Sequence, residues 1–245
     1  MAIQPWRTGT VTRIVDETYN TRRFWIQVPE LETFDFQPGQ FVTLDLPIHE
    51  KPNKRWRSYS IASPPDGTNT FELLVVLLEG GPGSTYLFND ISIGSTLSLR
   101  GPQGVFTLPQ PIDKDLYFIC TGTGIAPFRS MLHYIYKHQV PHKNIYLVFG
   151  TRAQRDLLYV EEMKQLEREL DQFQFIPTLS REKWDGCCGY VHTVYEKLVT
   201  EKRENGSLPE AQFFLCGWKA MVDEAKQRVL SLGYDRKAVH LELYG

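Results

Sequence analysis

The stretch Cys120-Thr121-Gly122-Thr123-Gly124-Ile125-Ala126-Pro127 decides the fold of the second half of this chain. It lies between a short apolar run and a segment whose apolar residues recur at helical spacing. Glycines let the backbone approach a ligand, and a helix start offers unpaired amides and a positive dipole end to a phosphate. A glycine turn can also be a plain tight connection. At the carboxyl end of the first strand of an open sheet, however, it stands where such folds bind ligands.

Downstream of this turn, short apolar strands alternate with helical periodicity. The predicted strands are Leu116 to Cys120, Ile145 to Phe149, Phe173 to Thr178, Phe213 to Cys216 and Val239 to Tyr244. Helical apolar faces lie between some of them, from Ile125 to Ile135, Met163 to Leu170 and Val222 to Leu232. Right-handed crossovers turn repeated β-α units into a parallel sheet with helices on both faces. We therefore predict a doubly wound α/β domain with a five-stranded parallel sheet over residues 112–245.

Upstream of Pro111 the pattern is that of an all-β domain. β-branched and aromatic runs separated by turns predict strands from Gly9 to Val15, Thr21 to Val28, Gln40 to Leu46, Arg57 to Ala62, Thr70 to Leu78 and Thr96 to Leu99. A short helix from Ser84 to Asn89 follows Gly80-Gly81-Pro82-Gly83. The apolar run between Glu72 and Glu79 is far too short to cross a membrane and reads as a buried strand. These features predict an antiparallel six-stranded β barrel over residues 1–111.

Composition excludes several functional classes. The 27 basic and 29 acidic side chains give a net charge of −2, so no overall field favours nucleic acid or an anionic membrane. The four cysteines form no Cys-x-x-Cys, and the histidines form no His-Glu-x-x-His, so we expect free thiols and no metal site. The first residues lack an apolar core of signal-peptide length, and we expect a cytoplasmic protein.

Three further segments carry chemistry. Arg57-Ser58-Tyr59-Ser60 places a cation, a ring and hydroxyls on one barrel strand, although a packed strand would look similar. Cys216 ends a strand and would, on its own, be read as a small core residue. In the last strand, a period of two puts Glu242 and Tyr244 on one face, which is either half of a site or an exposed surface.

With these elements in this order, the chain resembles a ferredoxin–NADP reductase, a flavoprotein family with a flavin-binding barrel followed by a nucleotide domain. The resemblance covers nearly the whole chain. It rests on the Arg-x-Tyr-Ser strand, on a Gly-x-x-Ser-x-x-Leu element at Gly81, Ser84 and Leu87, on the turn Gly101-Pro102-Gln103-Gly104, on the run from Gly122 to Ser130, and on the final Glu-x-Tyr.

The resemblance implies a bound flavin. Arg57 would pair with its phosphate, Tyr59 would stack on the isoalloxazine, and Ser60 would hydrogen-bond near N5. The implied flavin set is Arg57, Tyr59, Ser60, Ile61, Gly81, Gly83, Ser84, Thr85 and Tyr244. FAD is expected rather than FMN, because the glycine–helix element suits a pyrophosphate. Between Leu78 and Ser84 the chain lacks the aromatic insertion on which plant-type enzymes stack the adenine.

The resemblance also implies NADP(H) as substrate. In similar enzymes a Ser-Arg pair, here Ser180 and Arg181, grips the 2′-phosphate, and a guanidinium suits that group. Tyr190 would pack on the adenosine or else serve as a core aromatic. The implied nucleotide set is Thr121, Gly122, Thr123, Gly124, Ile125, Ala126, Pro127, Ser180, Arg181, Cys216, Gly217 and Met221, and the implied catalytic set is Ser60, Cys216, Glu242 and Tyr244.

The function that follows is hydride transfer between NADP(H) and FAD, with single electrons exchanged with a separate ferredoxin or flavodoxin by a monomeric protein. The basic residues Lys51, Lys54, Arg55 and Arg57 would dock that partner or form a solvated loop. Cys187-Cys188 is interpreted as a surface turn and not as a redox pair. The alternatives are an NADH-dependent reductase component of a multicomponent oxygenase and a flavin-binding subunit without turnover.

Overall fold

The computed structural model describes residues 4–203 and 206–244, and the chain divides into two compact units. The first unit contains the chain up to Thr107 together with Ala126–Tyr134. The second unit contains Leu108–Ile125 and the chain from Ile135 onward.

The first unit is a six-stranded antiparallel sheet. Its strands are β1 (Trp6–Thr18), β2 (Thr21–Gln27), β3 (Phe41–Asp45), β4 (Trp56–Ser60), β5 (Thr70–Val76) and β6 (Thr96–Gln103), in the order β4-β3-β6-β1-β2-β5. The one-turn helix α1 (Pro52–Arg55) precedes β4, and α2 (Pro82–Asn89) lies between β5 and β6. The prediction of six antiparallel strands is confirmed.

The sheet closes into a barrel through its two edge strands. Just beyond β4, Ile61 forms an antiparallel bridge with Leu73 of β5. The amide of Ala62 then donates to the carbonyl of Glu72 at 2.8 Å. Inward-facing apolar side chains from all the strands fill the interior, among them Val11, Phe24, Ile26, Val42, Leu44, Phe71 and Leu99. Closure removes the free edges that an open sheet would expose.

A buried carboxylate lies at this seam. Glu72 is 1% exposed, and it accepts hydrogen bonds from Arg23 through Nε at 2.7 Å and Nη2 at 3.0 Å. Arg129, from the helical segment of the same unit, donates to Glu72 at 3.2 Å and to the Ala62 carbonyl at 2.8 Å. The next residue, Ser130, donates to the Ser63 carbonyl at 2.7 Å. A buried charge is tolerated only when it is paired and hydrogen-bonded in this way.

The second unit is a parallel sheet with helices. Its strands are β7 (Asp115–Thr121), β8 (Ile145–Thr151), β9 (Phe173–Leu179), β10 (Cys187–Cys188), β11 (Ala211–Trp218) and β12 (Val239–Tyr244), in the order β10-β9-β8-β7-β11-β12. The helices are α3 (Ala126–His138), α4 (Val160–Glu169), α5 (Val191–Glu201) and α6 (Lys219–Ser231). Strand order reverses beside β7, which is the arrangement of doubly wound folds.

This sheet has one strand more than predicted. Cys187 and Cys188, expected in a surface turn, pair in parallel register with Thr178 and Leu179 and form the edge strand β10. A strand of two residues is too short to show alternation in sequence. The structure also adds α5, which the sequence analysis did not predict.

No helix in the described ranges is both long enough and apolar enough to cross a membrane.

Replacing Glu72 by Gln should destabilise the barrel by about 3–5 kcal/mol, because two guanidinium groups would lose a buried carboxylate. Urea unfolding of the purified protein measures the effect. The control is Glu30→Gln, which removes an exposed ion pair with Arg7 and should cost at most about 1 kcal/mol. Equal losses in the two variants would show that the Glu72 network contributes no special stability.

Candidate active site

Strand β4 presents the predicted flavin residues in alternation. Arg57 and Tyr59 are half-buried, whereas Ser60 and Ile61 are buried. Burial raises the pKa of Tyr59 to about 12, so its hydroxyl stays neutral and can donate a hydrogen bond at physiological pH. Ile61 makes the bridge that closes the barrel. The ring of Tyr59 and the hydroxyl of Ser60 are therefore held on a strand anchored at its end.

Helix α2 begins beside this strand. Gly81 is its N-cap residue, no side chain caps it, and Pro82 occupies its first turn. The Ser84 hydroxyl accepts a hydrogen bond from the Leu78 amide at 3.0 Å and lies 3.1 Å from the Gly81 carbonyl. Ser84 thus fixes the glycine loop through its side chain. The amides of the first turn, including that of Ser84, have no acceptor within the helix. They therefore point out of the start of α2, as in any uncapped helix.

Arg57 and Gly83 make the contact that joins β4 to α2. A Cβ at Gly83 would lie 2.9 Å from Cγ and 3.2 Å from Nε of Arg57, so only glycine admits the arginine stem here. The guanidinium donates through Nη1 to the carbonyls of Lys54 and Trp56 at 3.0 and 2.8 Å. Arg57 has no carboxylate partner among the described residues. A cation beside uncapped amides is well suited to a phosphate.

In the second unit, the glycine stretch forms a tight 3₁₀ turn, Gly122–Ile125, directly after β7 and before α3. Gly122 and Thr123 are half-buried, whereas the rest of the turn and the following Ala126 and Pro127 are buried. Helix α3 has no side-chain cap. The buried hydroxyl of Thr121 has no hydrogen-bond partner among the described residues.

A second turn, at the start of α6, packs against the first. A Cβ at Gly124 would lie 2.4 Å from the Cys216 carbonyl oxygen and 3.0 Å from Cα of Gly217. A Cβ at Gly217 would in turn lie 2.5 Å from the Thr121 hydroxyl. The backbones of the two turns therefore approach as closely as glycines allow. Met221 follows in the first turns of α6 and is half-buried.

The strand register brings Cys216, Glu242 and Tyr244 together. Cys216 pairs with Cys120 on one side and with Glu242 on the other. Burial, with Glu242 as a second cause, raises the pKa of the Cys216 thiol well above its usual range, and a hydrogen bond with Tyr244 opposes this. Glu242 and Tyr244 are half-buried on one face of β12. Cys216 is thus a neutral thiol held next to a carboxylate and a phenol.

Ser180 and Arg181 follow β9 at the same end of the sheet as the glycine turn. The Ser180 amide and hydroxyl donate to the Thr151 carbonyl at 3.0 and 3.2 Å, and the Arg181 amide donates to the Arg152 carbonyl at 2.9 Å. The side chains of Arg152 and Arg181 are exposed, and neither makes an ion pair in the part of the chain that the structure describes. This pair of arginines suits a second phosphate.

Arg152 was not among the predicted site residues. Its signal was available, because it follows the end of strand β8 just as Arg181 follows β9. Tyr190, for which a core position was one possibility, is 70% exposed and is not a core aromatic.

Two family models match the chain. An oxidoreductase FAD-binding domain matches residues 8–108, and an oxidoreductase NAD-binding domain matches residues 118–227. Ferredoxin–NADP reductase B of Sorangium cellulosum is 37% identical over 216 residues, which is 87% of this chain and 87% of that protein. The chain belongs to the ferredoxin–NADP reductase family.

Other members of this family are similar over most of the chain. A crystal structure of a ferredoxin NADP⁺ reductase from Neisseria gonorrhoeae with bound FAD and NADP aligns at a TM-score of 0.80 and 26% identity, covering 97% of this chain and 98% of that one. The glycine betaine monooxygenase reductase subunit of Pseudomonas aeruginosa is 29% identical over 99% of this chain, which spans 66% of that longer protein. The expectation of a family oxidoreductase with FAD-binding and NAD-binding domains is confirmed.

The residues present fit both cofactors. In the first unit, Arg57, which has no carboxylate partner among the described residues, lies beside the uncapped start of α2 and fits the phosphates of a flavin nucleotide. In the second unit, the unpartnered Thr121 hydroxyl and the two arginines fit a dinucleotide phosphate. The predicted flavin residues, apart from Tyr244, lie in the first unit. The predicted nucleotide residues lie in the second unit, except for Ala126 and Pro127 at the start of α3.

Replacing Gly124 by Ala should push the Cys216 turn out of place, because the new methyl would meet backbone atoms that cannot rotate away. We expect a loss of about 1–3 kcal/mol in stability and weaker nicotinamide-nucleotide binding. Alkylation of Cys216, followed on its peptide by mass spectrometry, measures the displacement. The control is Gly122→Ala, where a Cβ meets open space and only the positive φ is strained. If Cys216 stays as protected as in the wild type, the steric argument is wrong.

Proposed function

We propose that this chain transfers electrons from NADPH, through bound FAD, to a separate ferredoxin or flavodoxin. Family membership supports the redox chemistry and the two nucleotide domains. The observation that carries the choice of NADPH is a pair of exposed arginines beside Ser180, Arg152 and Arg181, which make no ion pair within the described ranges. A 2′-phosphate is the one group that distinguishes NADPH from NADH, and it requires such cations.

When bound, FAD takes two electrons together from NADPH and releases them one at a time. The chain supplies binding and orientation. Arg57 and the amides at the start of α2 bind the pyrophosphate, with Gly81, Gly83, Ser84 and Thr85 shaping the loop. Tyr59 would pack on the flavin ring, and Ser60 would donate a hydrogen bond near its reactive nitrogen.

On the nucleotide side, Gly122, Thr123 and Gly124 let the backbone approach the pyrophosphate, and the Thr121 hydroxyl donates to it. The position of the nicotinamide ring would be lined by Cys216, Glu242 and Tyr244. Because the Cys216 thiol is neutral, it acts by packing and hydrogen bonding and not as a nucleophile. Tyr244 would occupy the nicotinamide position until the nucleotide binds. The domain limits 1–111 and 112–245, a monomeric state and a cytoplasmic location belong to the same proposal.

A second candidate has its own support. Several curated relatives are reductase components of oxygenases, including the glycine betaine monooxygenase subunit, and this chain spans 54–66% of the length of several of them. In that role the chain would take electrons from NADH and deliver them to a dedicated iron–sulfur protein. The fold and most of the site are shared, so the preferred nucleotide discriminates between the two candidates.

Anaerobic titration of the purified protein with NADPH and, in parallel, with NADH tests the proposal. We expect a yellow flavin absorbance band that bleaches at far lower NADPH than NADH. A preference for NADH would support the oxygenase candidate. A colourless protein that neither FAD nor FMN reconstitutes would contradict both enzymatic functions.

Replacing Arg181 by Ala should raise KM for NADPH at least tenfold and leave KM for NADH nearly unchanged, because a charge-assisted hydrogen bond contributes about 1.5–3 kcal/mol. Steady-state kinetics with ferricyanide as acceptor measures both constants. The matched control is Lys183→Ala, which removes another exposed charge from the same loop. An equal effect on both nucleotides would mean that Arg181 does not contact the 2′-phosphate.

A further inference from the structure

Two tryptophans and an arginine form a compact cluster on the outer face of the barrel. Trp6 of β1 and Trp56 of β4 lie with ring centroids 5.7 Å apart. The guanidinium carbon of Arg100, from β6, lies 4.9 Å from the Trp6 ring and 5.1 Å from the Trp56 ring. We call these three residues the tryptophan–arginine cluster. Trp6 is 38% exposed and Trp56 is 37% exposed, so both rings remain accessible to a partner.

Arg100 carries a positive charge, and no carboxylate among the described residues forms an ion pair with it. Its Nε is buried and has no hydrogen-bond partner in the described part of the chain. Contact with two aromatic faces compensates part of the cost of covering a guanidinium. A carboxylate beside the partly exposed guanidinium would compensate more, because hydrogen bonds between charged groups contribute more free energy than those between neutral groups. The positive charge of Arg100 is therefore only partly compensated in the isolated chain.

The stretch that leads into Trp56 is positive, although the chain as a whole carries a net charge of −2. The stretch 46–57, which leads into β4, holds four basic side chains and only one acidic one, Glu50. Asp45 neutralises Arg55, with Nε and Oδ1 2.7 Å apart. Lys51 and Lys54, on and next to helix α1, have no ion pair in the described part of the chain. Helix α1 buries none of its residues, so these charges face solvent.

The cluster is also close to the predicted flavin residues. Trp56 and Ser60 lie four positions apart on β4, so their side chains share one face, about 13 Å apart along an extended backbone. A protein that docked on Trp56 would therefore lie near the group that delivers electrons.

We propose that the tryptophan–arginine cluster anchors a small acidic iron–sulfur protein, the electron acceptor of the proposed function. The inference rests on that function and adds the surface at which the acceptor binds. Trp and Arg are among the residues that most often carry the free energy of protein–protein binding. A carboxylate of the partner would form an ion pair with the Arg100 guanidinium. Lys51 and Lys54 would steer an acidic partner towards the cluster.

Charge argues against a second copy of this chain as the occupant. A two-fold dimer through this face would bring Lys51, Lys54 and Arg100 of each copy towards the same cations of the other, because a two-fold interface is self-complementary. Like charges brought together in an interface oppose association. An acidic partner presents the opposite sign.

Single substitutions Trp6→Ala and Trp56→Ala test the inference, with an acidic [2Fe–2S] ferredoxin as the probe. Calorimetry on the flavin-loaded protein at low ionic strength gives the Kd for ferredoxin. We expect each substitution to raise this Kd at least tenfold, while the rate of ferricyanide reduction by NADPH stays at the wild-type value. Salt should weaken wild-type binding, because the steering charges are screened.

Three controls keep the result interpretable. Flavin absorbance and melting temperature establish that each variant is folded and loaded. Trp56→Phe keeps an aromatic surface and should retain most of the affinity. Tyr19→Ala removes a ring that is 66% exposed at the β1–β2 turn and should leave the Kd unchanged.

Wild-type Kd values in both Ala variants would overturn the inference and leave the proposed function intact. A wild-type protein that reduces ferricyanide with NADPH but does not bind ferredoxin would overturn the acceptor in the proposed function together with this surface. Loss of binding to phosphatidylglycerol vesicles in the Ala variants, without any loss of ferredoxin binding, would reassign the cluster to a membrane surface.

Discussion

The fold of the first unit depends on one buried carboxylate. Glu72 and its partners Arg23 and Arg129 form a single hydrogen-bonded group with Ala62, just beyond β4, at the barrel seam. Its own carbonyl accepts the Ala62 amide, and its side chain pairs with the arginine that holds the Ala62 carbonyl. Both backbone groups of Ala62 are thus fixed by Glu72 or its partner. Ser60 lies two residues before Ala62, so the same contacts also restrain its position.

Close backbone approach is the second constraint, and the two units use it in the same way. At Gly83 the absence of a side chain admits the stem of Arg57 to the start of a helix. At Gly124 the absence of a side chain admits the turn that carries Cys216. In both places the helix start is uncapped, so backbone amides remain available for phosphate. The same physics therefore suits the flavin nucleotide proposed for one unit and the nicotinamide nucleotide proposed for the other.

Much of this architecture could be predicted because it follows from local pattern. Alternating strands predicted the barrel, and buried apolar strands predicted the parallel sheet. The glycine turn from Gly122 to Ile125 predicted the edge of that sheet at which a ligand is expected. Strand β10 was not predicted because a strand of two residues is too short to show an alternating pattern. The role of Glu72 escaped because sequence shows it only as the polar flank of an apolar run. Its partners are 49 and 57 residues away, and only the folded chain brings them together. Arg152 was missed although its place directly after β8 was visible in the sequence; only its backbone hydrogen bond with Arg181 required the folded chain.

The tryptophan–arginine cluster illustrates this limit as well. Its members come from three strands, and nothing in the sequence near Trp6 or Arg100 indicates that they meet. Residues that bind a cofactor lie within short motifs and can be read along the chain. A surface for another protein is assembled from distant positions, and its chemistry appears only after folding.

The distribution of the four thiols has a consequence for the protein's chemical durability. Cys120 and Cys216 are buried, and burial raises the pKa of both well above the usual range, so neither forms the thiolate that peroxides attack. Cys187 and Cys188 are exposed on the edge strand. Thiol oxidation is therefore directed to Cys187 and Cys188 at the edge of the sheet, while Cys120 and Cys216 stay reduced.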